Sequence, residues 1–276
     1  LWVQINNALR YFVHIGYKGT NFRGWQRQPL VSTVQEVIEF HLSKVLGKTI
    51  VCIGCGRTDA QVHASQYFFH FDFDTNWDFD LKFRLNKTLP DDISVFDIIP
   101  VDGYPHAQLN ATSRTYDYLF HTQKNPFLID YSSFYQLELN IDAMVEAVSL
   151  IPKYQNFVNF CRCPNHYPNH TCRVTSCKLF MHPNGKMFRF QITSNRFIRG
   201  MVRLLVNSII DIGAGKLNLS DFENYLSTSD TPKLIKPAHP QGLYLSKVTY
   251  NFFENENYNN NASSITFIDS INWKLL

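Results

Sequence analysis

The stretch Gly54-Cys55-Gly56-Arg57-Thr58-Asp59-Ala60-Gln61-Val62-His63-Ala64 sets a carboxylate close to a guanidinium on a glycine-bearing turn. Gly54 and Gly56 let the backbone bend sharply or approach a ligand closely. Residues 49–53 before them are β-branched and apolar, so the turn is expected at a strand end. Catalytic groups are often held there, which makes Asp59 the leading candidate for the chemistry. The plain alternative is an aspartate that hydrogen-bonds its own turn. Gly54 and Gly56 also begin a G-x-G pattern, yet the third glycine is missing and Asp59 stands in its place, where it would repel a pyrophosphate; a dinucleotide site is excluded.

Other side chains have chemical potential. Arg196, Arg199 and Arg203 are spaced by three and four, which on a helix expected over about 197–212 places them on one face; for the first two, a solvated basic face is the ordinary alternative. Tyr116, Tyr118 and Phe120 share one face of a strand expected over 115–121. Cys161-x-Cys163-x2-His166-x3-His170-x-Cys172 offers metal-binding residue types, but it lacks C-x2-C spacing, and Pro164 and Pro168 indicate an irregular surface loop. Zinc is therefore disfavoured. The six cysteines lie in a chain with no secretory leader, so reduced thiols are expected.

The elements that must position these groups follow from periodicity. Residues 10–17 alternate as a strand, and 33–46 place apolar residues at helical spacing, with Thr33 and Glu36 as a capping box. After the Asp59 turn come strands over 67–73 and 94–99. A second unit opens with strand 115–121. It continues with a helix over 141–151 capped by Asn140, and strands 174–181 and 187–193 around the turn Pro183-Asn184-Gly185. The helix over 197–212 ends at Gly213, a short helix opens at Ser220 with Glu223, and 244–250 is a last strand. The expected organisation is an α+β domain over 1–104, a second over 105–250 and a tail over 251–276, Asn- and Ser-rich from 255 to 264. At 276 residues and 45% hydrophobic, the chain has ample material for both cores.

A net charge of +3 does not announce a nucleic-acid partner, so local clustering must carry that claim. No apolar run approaches the ~18 residues needed to span a bilayer, and residues 1–10 lack a basic segment followed by an apolar one; a cytoplasmic protein is expected. The chain begins with Leu1 rather than Met and is read as missing its start.

The string around Asp59 closely resembles the catalytic motif of the TruA-type tRNA pseudouridine synthases, A-G-R-T-D-A-G-V-H-A, in which the aspartate is the nucleophile. Four more strings are similar to the family's, in its order. Residues 16–26, Gly-Tyr-Lys-Gly-Thr-Asn-Phe-Arg-Gly-Trp-Gln, resemble Y-D-G-T-x-F-x-G-W-Q and fit a loop beside RNA, where stacking and phosphate contacts dominate. Ala111 to Tyr118 resembles S-A-T-x-R-x-Y-x-Y, Asn195 to Arg203 resembles N-x-F-x-x-x-M-V-R, and Gly242-Leu243-Tyr244-Leu245 resembles G-L-Y-L. The resemblance spans about residues 10–250. It implies a pseudouridine synthase fold, two similar α+β domains around an extended, mostly antiparallel sheet.

By this resemblance Asp59 is the nucleophile, Arg203 its ionic partner, Tyr116 the ring against the target uracil, and Leu243 the packing on the base's other side. Arg57 guides the flipped nucleotide. The implied substrate is the anticodon arm of tRNA, at uridines 38 to 40, and the implied assembly is a homodimer. The reaction is an isomerisation without redox change or external donor, so no cofactor or metal is demanded. Arg23, Arg27, Arg114, Arg196 and Arg199, with Lys18, Arg84 and Lys87, are candidate contacts to the RNA backbone. Gln61 stands where the family has glycine, Lys18 replaces an aspartate, and the Cys161 to Cys172 loop departs from the pattern. Alternatives are a related synthase acting at other tRNA or RNA positions, a non-catalytic RNA-binding module, and a zinc-dependent RNA-binding protein.

Overall fold

The computed structural model describes residues 8–228, 235–253 and 272–276; the expected linker over 255–264 and residues 1–7 lie outside them. In chain order the main elements are β1 (Leu9–Tyr17), α1 (Val34–Leu46), β2 (Ile53–Gly54), β3 (His63–Phe73), α2 (Leu81–Thr88), β4 (Ile93–Val101), β5 (Ala111–His121), β6 (Ser133–Phe134), α3 (Ile141–Leu150), β7 (Val174–Met181), β8 (Met187–Ser194), α4 (Met201–Gly213), α5 (Leu219–Ser227), β9 (Leu243–Tyr250) and β10 (Lys274–Leu275). Contacts divide the chain into two compact units, 1–112 with 245–265, and 113–244 with 266–276.

In the first unit β1 lies between β3 and β4, antiparallel to both, with Tyr17 opposite Ala64 and Ile93. The end of β1 and the starts of β3 and β4 therefore meet at one edge, the edge that receives the Asp59 turn. β3 and β1 are buried on both faces over most of their length, which explains their many apolar and aromatic residues. On one face Phe12 and Phe68 meet the Tyr250 ring edge-on, each at 5.5 Å. On the other, Tyr11 stacks on Phe71 and Trp25 on Tyr67. Each ring buried in full contributes roughly 1.5–3 kcal/mol. Burial also holds the His14 imidazole, stacked on Phe68 at 4.8 Å, down to about 4, so it is neutral near pH 7. Thr33 Oγ1 caps α1 by accepting from Glu36 N, and Gly47 closes it in the left-handed region at φ 67°. α2, capped by Asp80, was not anticipated, because its one-sided burial rests on only Leu81 and Leu85. The strand expected over 49–53 shrinks to Ile53–Gly54, which pairs with β3.

In the second unit the order is β10-β7-β8-β5, with each neighbouring pair antiparallel; β6 adds a short parallel pairing to β5. The β7–β8 hairpin turns through Gly185 at φ 70°, as its Pro-Asn-Gly signal requires. α3 packs on α4, α5 and β7, and α4 buries ten of its residues. Two helix boundaries differ from expectation. α4 starts at Met201, because Gly200 at φ 81° breaks the backbone before it; Arg196 and Arg199 thus lie in the preceding loop and do not share a helix face with Arg203. α5 is capped by Asn218, not Ser220: Asn218 Oδ1 accepts from Asp221 N at 2.7 Å while its amide donates to Asp221 Oδ2. Both units are α+β, the class expected.

Candidate active site

In the first unit the turn leaves β2 and is tied at once to the core, where Cys55 N donates to Phe68 O at 2.8 Å and Tyr67 Oη donates to Gly56 O at 2.6 Å. Thr58 is buried, and its hydroxyl is 2.8 Å from Tyr17 Oη at the end of β1. Asp59 and Ala60, on either side of the turn's apex, are half-buried, and Arg57 is exposed. Val62 N donates to Asp59 O, which closes the turn and leads into β3.

The loop over 18–26 is the turn's brace. Trp25 N donates to Thr58 O at 3.3 Å, and Gln61 N donates to Phe22 O at 3.1 Å. Gly19 N donates to His63 Nδ1 at 3.0 Å. A side chain at Gly19 would strike Val62 O, and one at Gly24, whose φ is 93°, would strike Thr58 O. Only glycine permits two backbones to run this close. Phe22 and Trp25 are 5% and 3% exposed, and Trp25 lies 4.1 Å from the Tyr67 ring. This corrects the expectation that the aromatics of this loop stack on RNA: they are consumed in holding the turn. The signal that separates the two roles is the aromatic-rich strand 63–73, almost wholly buried, which needs rings on its face. Of the loop's cations, Arg23 is exposed, whereas Arg27 Nη1 pairs with the buried carboxylate of Glu39 at 3.1 Å.

Gln61 occupies φ 65°, a left-handed conformation in which glycine is at home and a Gln costs about 1–2 kcal/mol. The departure from the resembled motif therefore falls on a position whose backbone does want glycine.

In the second unit Tyr116 is half-buried on β5 with its ring edge-on to Phe197 at 5.0 Å. Tyr118 and Phe120, on the same face, are fully buried. The Tyr118 hydroxyl sits 2.8 Å from Ser133 Oγ and 2.9 Å from His239 O, and burial raises its pKa well above the usual phenol value. Arg203, in the first turn of α4, donates from Nε to Ala238 O at 2.7 Å and accepts from Ala238 N at its own carbonyl. Gly242 lies so close to the Leu119 carbonyl that a side chain there would strike it, and Leu243 next to it is buried. The segment 238–243 is thus fastened to β5 by Tyr118 and Gly242 and to α4 by Arg203. That one segment ties together the elements carrying Tyr116, Arg203 and Leu243.

Arg114, Arg196 and Arg199 lie elsewhere in this unit, beside the loop over 161–173. Arg114 Nη1 reaches Asn195 O at 3.4 Å, Arg196 Nη1 reaches Asn169 Oδ1 at 3.3 Å, and Arg199 N donates to Tyr167 Oη at 3.0 Å. Among the described residues no group of three or more His, Cys, Asp or Glu is placed to hold a metal ion. In that loop His170 Nε2 lies 3.0 Å from Pro164 O, and burial pushes the Cys172 thiol up to about 11. The described cysteines are free thiols.

The braced carboxylate turn thus lies in one α+β unit, and Tyr116, Arg203 and Leu243 lie in the other. A tRNA pseudouridine synthase family model matches residues 154–251. The tRNA pseudouridine synthase A of Porphyromonas gingivalis is 34% identical over 244 residues, covering 87% of this chain and 97% of that protein. The synthase A of Parabacteroides distasonis is 37% identical, covering 87% and 96%, and that of Caldicellulosiruptor bescii is 34% identical, covering 86% and 97%. The chain belongs to the tRNA pseudouridine synthase A family, isomerases that convert uridine to pseudouridine. Among the described residues no helix is long and apolar enough to cross a membrane.

Proposed function

We propose that this chain isomerises uridines at positions 38 to 40 in the anticodon arm of tRNA, with Asp59 as nucleophile. The observation that supports Asp59 most is its setting: a half-buried carboxylate on a turn whose neighbours Thr58, Gln61 and Val62 are each bonded into a rigid frame. Rigid placement is what a covalent attack needs, since a near-attack geometry replaces much of the entropic barrier. Arg203 serves as the cationic partner of that carboxylate, and its Nε anchor on Ala238 O fixes its stem for that task.

The target base is unstacked from its helix, at a cost of a few kcal/mol, and received between Tyr116 and Leu243. Stacking on an aromatic ring returns about 1–3 kcal/mol of that cost. Arg57, exposed beside the nucleophile, steers the flipped nucleotide by its phosphate. The C1′–N1 glycosidic bond breaks, the uracil turns, and a C1′–C5 bond forms in its place; the proton lost from C5 is matched by one gained at N1, and the bond made by Asp59 is broken again before product leaves, so no cofactor is consumed. Arg23, Arg27, Arg114, Arg196 and Arg199 hold the RNA backbone, and the working form is a cytoplasmic homodimer. For Arg27 the contact must share a guanidinium already paired with Glu39.

Asp59→Asn keeps shape and removes the charge. Pseudouridine formation should fall at least ~10³-fold while tRNA binding stays within a few-fold. Turnover at the normal rate would overturn the assignment, and mapping pseudouridine in tRNA from cells with and without this protein tests the positions.

A further inference from the structure

The loop over 161–173 and the segment 194–199 are zipped together. Arg162 N donates to Arg199 O at 3.0 Å, Arg173 N donates to Asn195 Oδ1 at 2.7 Å, and Asn195 N donates back to Arg173 O at 3.3 Å. Gly200 makes the closure possible, since any side chain there would collide with the aliphatic stem of Arg162. The zipper gathers arginines that are far apart in sequence. Arg162, Arg173 and Arg199 are exposed, and Arg196 is half-buried with its guanidinium 5.9 Å from the centre of the Tyr167 ring. Neither 155–173 nor 195–203 contains an Asp or Glu. Glu223, on α5 beside the start of the loop, is engaged by Tyr154 Oη at 2.8 Å. A local surface this cationic, on a chain whose overall charge is only +3, is an electrostatic footprint for a polyanion.

We propose that this zippered surface docks the sugar–phosphate backbone of tRNA, with Arg162 and Arg173 as phosphate contacts in addition to Arg196 and Arg199. The proposal rests on the reading of the chain as one that acts on tRNA. Guanidinium groups suit it because their planar fork matches phosphate oxygens, and the Tyr167 ring orients one of them. Cys161 and Cys172, buried, and His170, bonded to Pro164 O, then have a structural task in the loop's interior, while Arg162, Arg173 and Arg199 are exposed.

The test uses the full chain and an unmodified tRNA transcript, measuring Kd, KM, kcat and the salt dependence of binding. In Arg162→Gln/Arg173→Gln, Kd and KM should rise on the order of tenfold with kcat unchanged. The slope of log K against log salt should become shallower by roughly 1–2, because each neutralised phosphate contributes about 0.7–0.9. Arg162→Lys/Arg173→Lys, which keeps the charges, should restore most of that slope. Lys186→Gln, in the β7–β8 turn, removes a charge elsewhere in the same unit and should leave Kd within about twofold. Should the double variant fail to fold, Arg173→Gln alone, at an exposed side chain whose backbone makes the ties, should carry about half the slope change. An unchanged Kd and slope, a fall in kcat without a change in Kd, or an equal loss in Lys186→Gln would overturn the proposal. Wild-type protein that forms no pseudouridine in tRNA would instead overturn the reading beneath it.

Discussion

The turn that carries Asp59 and the surface that carries Arg196 and Arg199 differ in the balance of main-chain and side-chain bonds that hold them. The turn is fixed by main-chain bonds to the 18–26 loop, by glycines that let backbones nearly touch, and by rings buried beneath it. The arginine surface has two main-chain ties, Arg162 N to Arg199 O and Asn195 N to Arg173 O, and otherwise depends on polar side chains at its margin, Asn195, Asn169 and Tyr167, in exposed or partly exposed positions. Bonds of the first kind are shielded and cooperative, so the carboxylate is placed once and stays placed. Bonds of the second kind compete with water, and each contributes only about 0.5–1.5 kcal/mol, so the guanidinium groups can adjust to an irregular backbone. Chemistry at one atom needs the former; contact with a ribose–phosphate chain tolerates the latter.

The strongest way to break this contrast is at Gly24. Gly24→Ala puts a methyl group against Thr58 O and forces φ 93° on a residue with a side chain. Strain and overpacking together should cost roughly 2–5 kcal/mol, and because the displaced carbonyl belongs to the residue before Asp59, turnover should fall more than tRNA affinity. Thermal unfolding and a comparison of kcat with Kd would check it. A variant with normal Tm and normal kcat would show that the turn is not braced from this side.

The same contrast explains what could be read from the chain and what could not. The strands around Tyr17, Tyr67 and Tyr116 are visible because their alternation or unbroken apolar character is local, and the caps at Thr33 and Asn140 are visible because a cap is a four-residue pattern. Asp59 stands out by its place on a glycine-bearing turn at a strand end as well as by motif, whereas the roles of Arg203, Tyr116 and Leu243 come from resemblance of motif. The burial of the 18–26 aromatics is not legible, because Gly, Trp and Arg in alternation look the same whether the ring faces a base or Tyr67; the difference lies in a partner over forty residues away. The start of α4 was misplaced because Phe197, Ile198 and Arg199 fit a helical repeat, and only Gly200 at φ 81° and the bonds from Arg199 to Arg162 and Tyr167 decide against it. The placement of Arg162 and Arg173 is not legible for a related reason: inside a Cys/His-rich segment it depends on long-range bonds to residues 195–199.

Asn195→Ala sharpens the contrast from the other side. It removes the acceptor that Arg173 N and Ser194 Oγ share, at 2.7 and 3.3 Å, from an exposed position. The stability loss should be about 1 kcal/mol, far below that of Gly24→Ala, and Kd for tRNA should rise several-fold with kcat retained. A large fall in kcat with unchanged Kd would mean that the arginine margin positions the chemistry as well, and the division drawn between the two regions would fail.

The smallest effect is expected at Gln61, and its sign is the informative part. At φ 65° a Gln is strained by about 1–2 kcal/mol, and glycine would relieve this while adding about 0.5–1 kcal/mol of unfolded-state freedom. Gln61→Gly should therefore stabilise the chain by a few tenths to about 1 kcal/mol. Its effect on turnover discriminates further. Gln61 is exposed, and its tie to the brace is its backbone N–H on Phe22 O, which glycine also supplies. If the brace alone sets the carboxylate, kcat should not move when the side chain goes. A fall in kcat together with a rise in Tm would instead mean that the strained conformation is maintained for a contact made by the Gln61 amide, and that the turn reads its substrate through this residue as well as acting on it.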